Sequence, residues 1–293
     1  MEFVPAKTIV NRTKNDKWFG ADYNMNIYRG CCHGCIYCDS RSECYGVENF
    51  DTVKAKADAL AIIERELRSK RSKGVVGTGA MSDPYNPFES KYGYTRKALE
   101  LINKHWFGVA IDTKSDLVTR DIDLLKQIGE HSPVLVKITV TAADDALAQK
   151  VEPHAPPSSR RFAAIEALSR NGIDAGVLMM PLLPFIEDSE ENVLGIIRKA
   201  RDAGAKFVYP GFGMTLRQNQ RGHYLSSIEA LFPGMRQKYQ KQFGYAYSCN
   251  AMNAKKLYAY FKEECKKHGL LHRMRDIIDL YKAPYMQRQL KMF

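Results

Sequence analysis

Residues 29–39 read RGCCHGCIYCD and hold four of the chain's seven cysteines within eight consecutive positions. The regular subset is Cys31-x3-Cys35-x2-Cys38, with Tyr37 directly before the third thiol. The remaining cysteines form no second pair, whereas structural zinc usually takes four ligands, often as two CxxC-like pairs. Three thiolates match a four-iron cluster with one iron left free of protein ligands. The spacing therefore favours an iron–sulfur cluster whose open iron binds a reacting molecule.

The composition is typical of a soluble globular protein, since 45% of the 293 residues are hydrophobic and 26% are charged. No apolar run approaches the roughly 18–20 residues that span a bilayer, so no membrane partner is expected. The opening residues, MEFVPAKTIVNRTK, lack the order of a secretory signal, and we therefore expect a cytoplasmic protein. In a reducing compartment an odd number of cysteines does not indicate a disulfide framework.

The net charge is +11 and the pI is about 9.2. A basic surface attracts phosphate-rich partners through long-range electrostatics. Many basic proteins bind no nucleic acid, so the charge makes nucleic acid one candidate partner among others.

Short strand-like runs alternate with helical patterns along most of the chain. The runs are apolar or β-branched and mostly bounded by Gly, Pro or Asp, and the helical segments carry apolar residues three and four positions apart. Six such units predict an α/β fold, a parallel sheet that curves into a partial (β/α)6 barrel. The cysteine stretch follows the first strand, at the barrel end where chemistry gathers. Strands are predicted at 25–29, 74–79, 108–113, 134–140, 174–180 and 206–210, and helices at 53–70, 94–104, 121–128, 144–150, 158–170 and 190–203.

We divide the chain into an N-terminal arm (1–20), the barrel (21–210) and a C-terminal extension (211–293). The extension reads as mainly helical, and we expect it to cap the open side of the barrel. Its predicted helices are 225–231, 251–267 and 275–282. In the cysteine stretch, Gly30 and Gly34 are expected to let the loop bend.

The motif CxxxCx[aromatic]C after the first of six βα units resembles the signature of the radical S-adenosylmethionine (SAM) superfamily. The resemblance implies a [4Fe–4S] cluster held by Cys31, Cys35 and Cys38, with SAM chelated at the open iron through its methionine amino and carboxylate groups. It implies that Tyr37 packs against the adenine. One electron from a reductase such as flavodoxin or ferredoxin would cleave the sulfonium and give a 5′-deoxyadenosyl radical that abstracts hydrogen.

Further segments are similar to the spore photoproduct lyase group, often called DNA repair photolyases. The likeness covers roughly residues 20–210 and is much weaker afterwards. It is carried by YRGCCHGCIYC, GAMSDPYNPFE (79–89), DTKSDLVTRDIDLL (112–125), VEPHAPPSSRRFAAIEAL (151–168) and GIDAGVLMMPLLPFIED (172–188).

The same resemblance implies contacts to the cosubstrate at four positions. Ser82 and Asp83 match the Ser-Asp pair that holds the methionine amine, and a carboxylate suits an ammonium group. Lys114 matches the lysine that pairs with the methionine carboxylate. Thr139 falls where a serine usually contacts SAM. Read without the resemblance, Asp83 before a proline is also a good turn starter, and Lys114 could be a solvated charge.

Two positions depart from spore photoproduct lyase. Ala80 stands where that enzyme has a cysteine that returns hydrogen to the product radical, and Asp39 stands where a tyrosine belongs to the same route. We therefore do not expect true spore photoproduct lyase activity. Cys249 and Cys44 are candidate replacement donors, because a thiol is a good hydrogen-atom donor; each could instead be a small structural residue.

The substrate stays open between a nucleic-acid base and a small molecule or peptide. A base enzyme must flip its target or take single strands. Arg217 and Arg221, in the loop-like segment 210–224, suit phosphate or carboxylate groups. A third reading is a non-enzymatic protein that binds a cluster or nucleic acid and has kept the barrel.

Overall fold

A computed structural model describes residues 1–14 and 18–290, with side chains described as far as residue 285. Short strands and longer helices alternate through it. The strands are β1 (Glu2–Val4), β2 (Val10–Arg12), β3 (Tyr23–Met25), β4 (Tyr28–Arg29), β5 (Lys54–Lys56), β6 (Val75–Thr78), β7 (Gly108–Thr113), β8 (Val134–Thr139), β9 (Ala175–Met179), β10 (Val208–Pro210), β11 (Gly213–Thr215) and β12 (Ser248–Asn250). The α-helices are α1 (Ala59–Ser69), α2 (Glu89–Tyr92), α3 (Tyr94–Lys104), α4 (Ile122–Gly129), α5 (Asp145–Val151), α6 (Ser158–Arg170), α7 (Glu190–Asp202), α8 (Gln220–Leu231), α9 (Met235–Phe243), α10 (Ala254–Lys267) and α11 (Met274–Leu290).

Six parallel strands form the central sheet in the spatial order β10-β9-β8-β7-β6-β3. Strands β6, β8 and β9 are buried along their whole length, which explains their continuous apolar sequences. Helices follow the strands in the βα order that the hydrophobic periodicity predicts, and this parallel arrangement confirms the predicted α/β architecture.

The first strand differs from its prediction at 25–29. Only Tyr23–Met25 pairs with β6, and Tyr28–Arg29 pairs instead with β5 in a small separate sheet that also contains β1. The chain therefore leaves the central sheet at the end of β3, and the cysteine stretch follows a strand of the smaller sheet. For the same reason the helix predicted at 53–70 begins only at Ala59, since Lys54–Lys56 is a strand.

The predicted N-terminal arm contributes to the sheet. Strand β2 pairs antiparallel with β3 and becomes the seventh strand at that edge. The division into arm, barrel and extension stays a prediction, although Val10–Arg12 is continuous with the barrel sheet.

The extension packs on the barrel in two places. Helix α11 inserts Ile277 and Tyr281 against strand residues of the barrel interior, and the Tyr281 hydroxyl donates to the carbonyl of Phe19 at 2.5 Å. Helices α8 and α9 pack with the β11–β12 pair over the cysteine stretch. Helix α9 and this strand pair were not predicted, because α9 is mostly exposed and each strand has only three residues. Within residues 1–14 and 18–290, no helix is both long and apolar enough to cross a membrane.

Candidate active site

A cavity of about 550 Å³ opens at the C-terminal ends of the parallel strands. Its lining comes from the cysteine loop (residues 30–40), from residues at or just after the ends of β6, β7, β8 and β9, from the segment after β10 and from β12. All the residues predicted to bind a cluster or SAM line this one cavity: Cys31, Cys35, Tyr37, Cys38, Ser82, Asp83, Lys114 and Thr139. We name the last four the strand-end wall. Half-buried Cys32 is not among the described lining residues, in agreement with its irregular spacing.

Backbone hydrogen bonds hold the cysteine loop against the segment after α5. The amide of Ile36 donates to the carbonyl of Val151 at 3.0 Å, and the amide of His154 donates to the carbonyl of His33 at 3.0 Å. These bonds fix both halves of the loop to the same neighbouring segment.

Two glycines allow this close approach. Gly30 and Gly34 have φ values of 80° and 71°, which side-chain-bearing residues rarely adopt. A Cβ on Gly30 would lie 2.6 Å from the carbonyl oxygen of Thr52, and one on Gly34 would lie 2.9 Å from the ring of His154. The predicted bends at Gly30 and Gly34 are therefore present, and close packing excludes larger residues there.

The three thiols suit an iron–sulfur cluster in chemistry and placement. Burial raises the pKa of all three, that of Cys31 to about 12 with the help of the Asp83 charge, so without a metal they are protonated. No group of three or more Cys, His, Asp and Glu side chains in the described part of the chain is arranged to hold a metal ion. A cluster takes one thiolate on each of three irons, so its ligands surround a volume instead of meeting at a point. Three thiols that line one cavity therefore match the donor set of such a cluster.

Asp83 joins three loops of the site. Its Oδ1 accepts hydrogen bonds from the Thr113 hydroxyl (2.7 Å) and the Tyr85 amide (2.9 Å), and its Oδ2 accepts one from the Lys114 amide (2.8 Å). The same Oδ2 lies 3.1 Å from His33 Nε2. Burial by itself would raise the pKa of Asp83, but His33 and the hydrogen bonds lower it to about 2. Asp83 is therefore an anion whose oxygens already have partners.

Ser82 and Thr139 both line the cavity. The Ser82 hydroxyl donates to the carbonyl of Gly30 at 2.5 Å and so ties the loop after β6 to the cysteine loop. Thr139 ends β8 and is nearly buried, and its carbonyl accepts a hydrogen bond from Arg161.

Lys114 carries a positive charge into the cavity. Its Nζ lies 5.6 Å from the centre of the Tyr37 ring and 3.9 Å from Oε1 of Glu152. Burial would lower the pKa of Lys114, but Cys35 as the thiolate that a cluster would hold, and the Glu152 carboxylate, raise it, so the ammonium form is favoured. The solvated alternative for Lys114 is wrong, since its side chain is only 18% exposed.

A buried ion pair supports this arrangement from behind. Glu152 and Arg161 are both fully buried, and Arg161 Nη2 lies 2.5 Å from Glu152 Oε2. Glu152 also accepts a hydrogen bond from the hydroxyl of Tyr37. Neither residue was predicted from the sequence, but a signal existed, because Arg161 shares the buried stripe of α6 with Ile165 and Leu168.

A second buried carboxyl, Glu187, was also missed. Its Oε1 accepts from the Thr141 hydroxyl at 2.7 Å and its Oε2 from the Leu183 amide at 3.1 Å. Burial raises the pKa of Glu187 to about 8. In sequence this residue precedes Asp188 and the exposed Glu190 and Glu191 that begin α7, so no local signal distinguishes it.

Arg217 lines the cavity and contacts the rings of Tyr45 and Tyr247, and we name these three residues the rim, although neither tyrosine is among the described lining residues. The Arg217 guanidinium is 5.4 Å from the Tyr45 ring centre and 5.5 Å from that of Tyr247. Arg217 also lines the cavity, with Nη2 3.7 Å from Oδ2 of Asp39. Tyr247 is 54% exposed. The rim therefore places one cation in the cavity lining, with two tyrosine rings beside that cation.

Arg221 organises the loop that carries Tyr247. Its guanidinium donates to the carbonyls of three successive residues, Gly244 (3.0 Å), Tyr245 (3.1 Å) and Ala246 (2.6 Å). These hydrogen bonds from Arg221 hold the backbone of residues 244–246 in place, whereas Tyr245 itself is 96% exposed.

The two predicted hydrogen donors have different positions, and neither is among the described lining residues. Cys249 is fully buried on β12 between Ser248 and Asn250, which do line the cavity; since alternate strand residues face opposite sides, its thiol points away. Cys44 is exposed, 3.5 Å from Arg217 Nη1, and hydrogen bonds from Ser42 and Arg217 lower the pKa of its thiol. Of the two, only Cys44 contacts a residue of the rim.

Comparison with known proteins agrees with this geometry. Residues 25–197 match the family model of the radical SAM superfamily. An uncharacterized protein of Mycobacterium tuberculosis is 29% identical over 247 residues, which are 82% of this chain and 72% of that protein. An uncharacterized protein of Methanocaldococcus jannaschii is 32% identical over 195 residues, which are 64% of this chain and 69% of that protein.

Among solved structures, spore photoproduct lyase complexed with dinucleoside spore photoproduct is similar over 92% of this chain and 80% of its own, with a TM-score of 0.62 and 15% identity. A variant of that lyase with bound AdoMet and dinucleoside spore photoproduct gives a TM-score of 0.63 at 14% identity, again over 92% of this chain and 80% of its own. At such identities the likeness shows a shared fold alone.

The family model covers more than half of the chain, and the chain therefore belongs to the radical SAM superfamily. It is a radical SAM enzyme whose reaction class is open, and the predicted partial barrel with a mainly helical extension is confirmed. Membership implies SAM and a [4Fe–4S] cluster as cofactors and an electron donor as a partner. The non-enzymatic alternative is set aside.

Proposed function

We propose that this enzyme binds a [4Fe–4S] cluster through Cys31, Cys35 and Cys38 and cleaves SAM beside it. The observation that carries the proposal is that the three thiols and the strand-end wall line the same cavity. Reductive cleavage of SAM breaks the sulfonium–C5′ bond with one electron and gives methionine and a 5′-deoxyadenosyl radical, which takes a hydrogen atom from the substrate.

The wall supplies complementary charges for the methionine end of SAM. The Lys114 ammonium is the partner for the carboxylate, and the negative Asp83 favours the amine. Because both Asp83 oxygens already have partners, we infer that its field and the adjoining Ser82 segment bind the amine, with no direct ion pair required. Tyr37 offers its ring to the adenine, and Thr139 offers a hydroxyl.

We propose a nucleic-acid base as the substrate. The rim offers two tyrosine rings and an arginine, groups on which bases stack. From Arg217 to Lys241 the chain has five Arg and Lys residues and a single acidic residue, Glu229, and its net charge is +11. The structurally similar lyase was solved with a dinucleoside. A target base must come from a single strand or be flipped out of a duplex.

Spore photoproduct repair itself is not proposed. Ala80 and Asp39 both line the cavity where that enzyme's thiol and phenol donors are expected, and neither side chain can return a hydrogen atom in the same way. The substrate radical would then have a different fate, with Cys44, whose Sγ lies 3.5 Å from Arg217 Nη1, as the proposed hydrogen donor. A flavodoxin- or ferredoxin-type reductase is the proposed electron donor, and the need for reduced iron agrees with the predicted cytoplasmic location.

The test uses protein purified and reconstituted without oxygen, reduced with dithionite and given SAM. 5′-Deoxyadenosine is measured with and without single-stranded DNA, and then with deuterated DNA. Formation of 5′-deoxyadenosine supports the cleavage reaction, and stimulation by DNA or transfer of deuterium into the product supports the nucleic-acid substrate. No product despite about four irons per chain would overturn the proposed cleavage. Product that DNA neither raises nor labels would favour a small molecule or peptide.

A further inference from the structure

We propose that the buried Glu152–Arg161 pair positions the side chains that receive SAM, although neither residue is among the described residues that line the cavity. This inference rests on the proposed function. It assigns a role to two residues that lie behind the site.

Glu152 joins two cavity residues that come from distant parts of the sequence. It accepts the hydroxyl hydrogen of Tyr37, from the cysteine loop, and its Oε1 is 3.9 Å from Nζ of Lys114, which follows β7. Both cavity residues are mostly buried. One carboxylate thus sets the position of the ring proposed for adenine and of the cation proposed for the methionine carboxylate.

Arg161 extends the same connection to the strand-end wall. Its Nη1 donates to the carbonyl of Thr139 at 3.0 Å, and its Nε donates to the carbonyl of Pro156 at 2.7 Å. The guanidinium therefore links Glu152 to the end of β8 and to the segment before α6. Three of the proposed SAM contacts, Tyr37, Lys114 and Thr139, are connected through this single pair.

The physical cost of the pair argues for a specific role. Removing two charges from water is expensive, and an apolar pair of similar volume is often as stable. When the side chains of such a pair contact functional elements, the pair offsets this cost by holding those elements in one geometry. The side-chain partners of Glu152 and Arg161 described above lie on the cysteine loop, on the wall or on the segment that packs beneath the loop.

The pair also leaves the ammonium group of Lys114 free to bind a second carboxylate. In the structure the ammonium is 3.9 Å from Glu152, a separation longer than that of a close ion pair. Arg161 is closer and takes most of the charge of Glu152, so Lys114 is oriented without being neutralised. A second carboxylate, from SAM, can therefore approach Lys114 from the cavity side.

The decisive experiment compares Glu152→Gln with Glu166→Gln. Glu166 forms an exposed pair with Arg170 on the same helix as Arg161, so it controls for loss of one carboxylate from α6 and its surroundings. SAM affinity is measured on reduced, cluster-loaded protein by the change that SAM causes in the electron paramagnetic resonance spectrum. Iron content and thermal unfolding are measured on the same samples.

We expect Glu152→Gln to retain iron but to bind SAM at least tenfold more weakly, and Glu166→Gln to bind SAM as the wild type does. An unchanged SAM affinity in iron-loaded Glu152→Gln would overturn the positioning role. A purely structural role would lower the unfolding temperature and the iron content without weakening SAM binding in the loaded fraction.

Tyr37→Phe decides the matter if Glu152→Gln does not fold. It removes only the hydroxyl that Glu152 holds, and we expect SAM to bind three- to tenfold more weakly; unchanged affinity would contradict the proposal. Failure of the wild type to cleave SAM would overturn the proposed function itself. Normal cleavage by the wild type with unaltered SAM affinity in both variants would overturn the positioning role alone.

Discussion

The strand-end wall and Arg217 of the rim line the same cavity but are held in different ways. Asp83 has hydrogen-bond partners on both oxygens and is nearly buried. The side chain of Arg217 in the rim is more open, and its nearest side-chain polar partners are longer contacts, to Cys44 at 3.5 Å and to Asp39 at 3.7 Å. Burial makes each polar group of the wall depend on its partners, since a lost partner leaves a desolvated charge. The rim groups keep water as an alternative partner, so they can exchange contacts when a ligand arrives. The wall therefore suits a constant cosubstrate, and the rim suits the substrate.

The largest expected effect comes from the cysteine loop beside the wall. Cys31→Ala should lose cluster iron and all SAM cleavage, because two remaining thiolates cannot hold the cluster. The adjacent Cys32→Ala is the matched control and should retain iron and cleavage. Iron analysis and 5′-deoxyadenosine formation measure both. Full iron and cleavage in Cys31→Ala, or their loss in Cys32→Ala, would show that the ligand set is wrong.

The buried carboxyl of Glu187 should make stability depend on pH. The folded pKa of Glu187, about 8, lies above its unfolded value, so folding favours the protonated form. Its contribution is complete below the unfolded pKa of about 4.3 and is lost as pH rises through 8, by up to about 1.4 kcal/mol per unit. Between pH 5.5 and 8 this amounts to roughly 3 kcal/mol of the free energy of unfolding.

Glu187→Gln should remove this slope. Its amide can donate to Thr141 while its oxygen accepts from the Leu183 amide, so the local contacts are retained. Urea unfolding without oxygen at pH 5.5 and 8 measures the difference, and the exposed Glu166→Gln should keep the wild-type slope. Equal slopes in Glu187→Gln and the wild type would show that Glu187 titrates normally.

Sequence patterns were sufficient for the repeating units of the barrel and for its cavity. The strand ends converge in any parallel barrel, so the cysteine stretch and the residues after each strand could be placed together from the sequence alone. The departures lie where short elements depend on distant partners, such as β2 and the β11–β12 pair, which have three residues each. Local pattern does not determine such pairing.

Buried charge was harder to predict than the cavity. Glu152 follows a short helix and precedes Pro153, as exposed turn residues often do, and only the tertiary fold shows that Arg161 covers it. The rim was missed for a related reason. Tyr45 and Arg217 are more than 170 positions apart in the sequence. The rim residues meet only because the extension packs over the cysteine loop.

A moderate effect is expected at the rim. Arg217→Ala should reduce DNA-stimulated 5′-deoxyadenosine formation roughly three- to tenfold, more than it reduces cleavage without DNA, because a stacking cation is lost. It should also lower the salt slope of DNA binding by about one. Arg217→Lys keeps the charge without the planar group and should fall in between. Exposed Arg198→Ala on the outer helix α7 is the control. Equal losses with and without DNA in Arg217→Ala would place Arg217 with the cosubstrate instead of the substrate.

The smallest expected effects separate the two candidate thiols. Cys249 points into a packed apolar cluster, so Cys249→Ser should lower the free energy of unfolding by about 1–2 kcal/mol, since a buried hydroxyl lacks a partner there. It should leave the amount of deuterium that the product gains in D₂O unchanged.

Cys44→Ser changes a surface residue and should leave the free energy of unfolding within about 0.5 kcal/mol of the wild type. Its thiol exchanges with solvent, so in D₂O a product radical quenched by Cys44 gains deuterium in the wild type and less in Cys44→Ser. Mass spectrometry of the product distinguishes these cases. Deuterium that persists in Cys44→Ser and disappears in Cys249→Ser would reverse the assignment, and would require the β11–β12 pair to turn its buried face towards the cavity during the reaction.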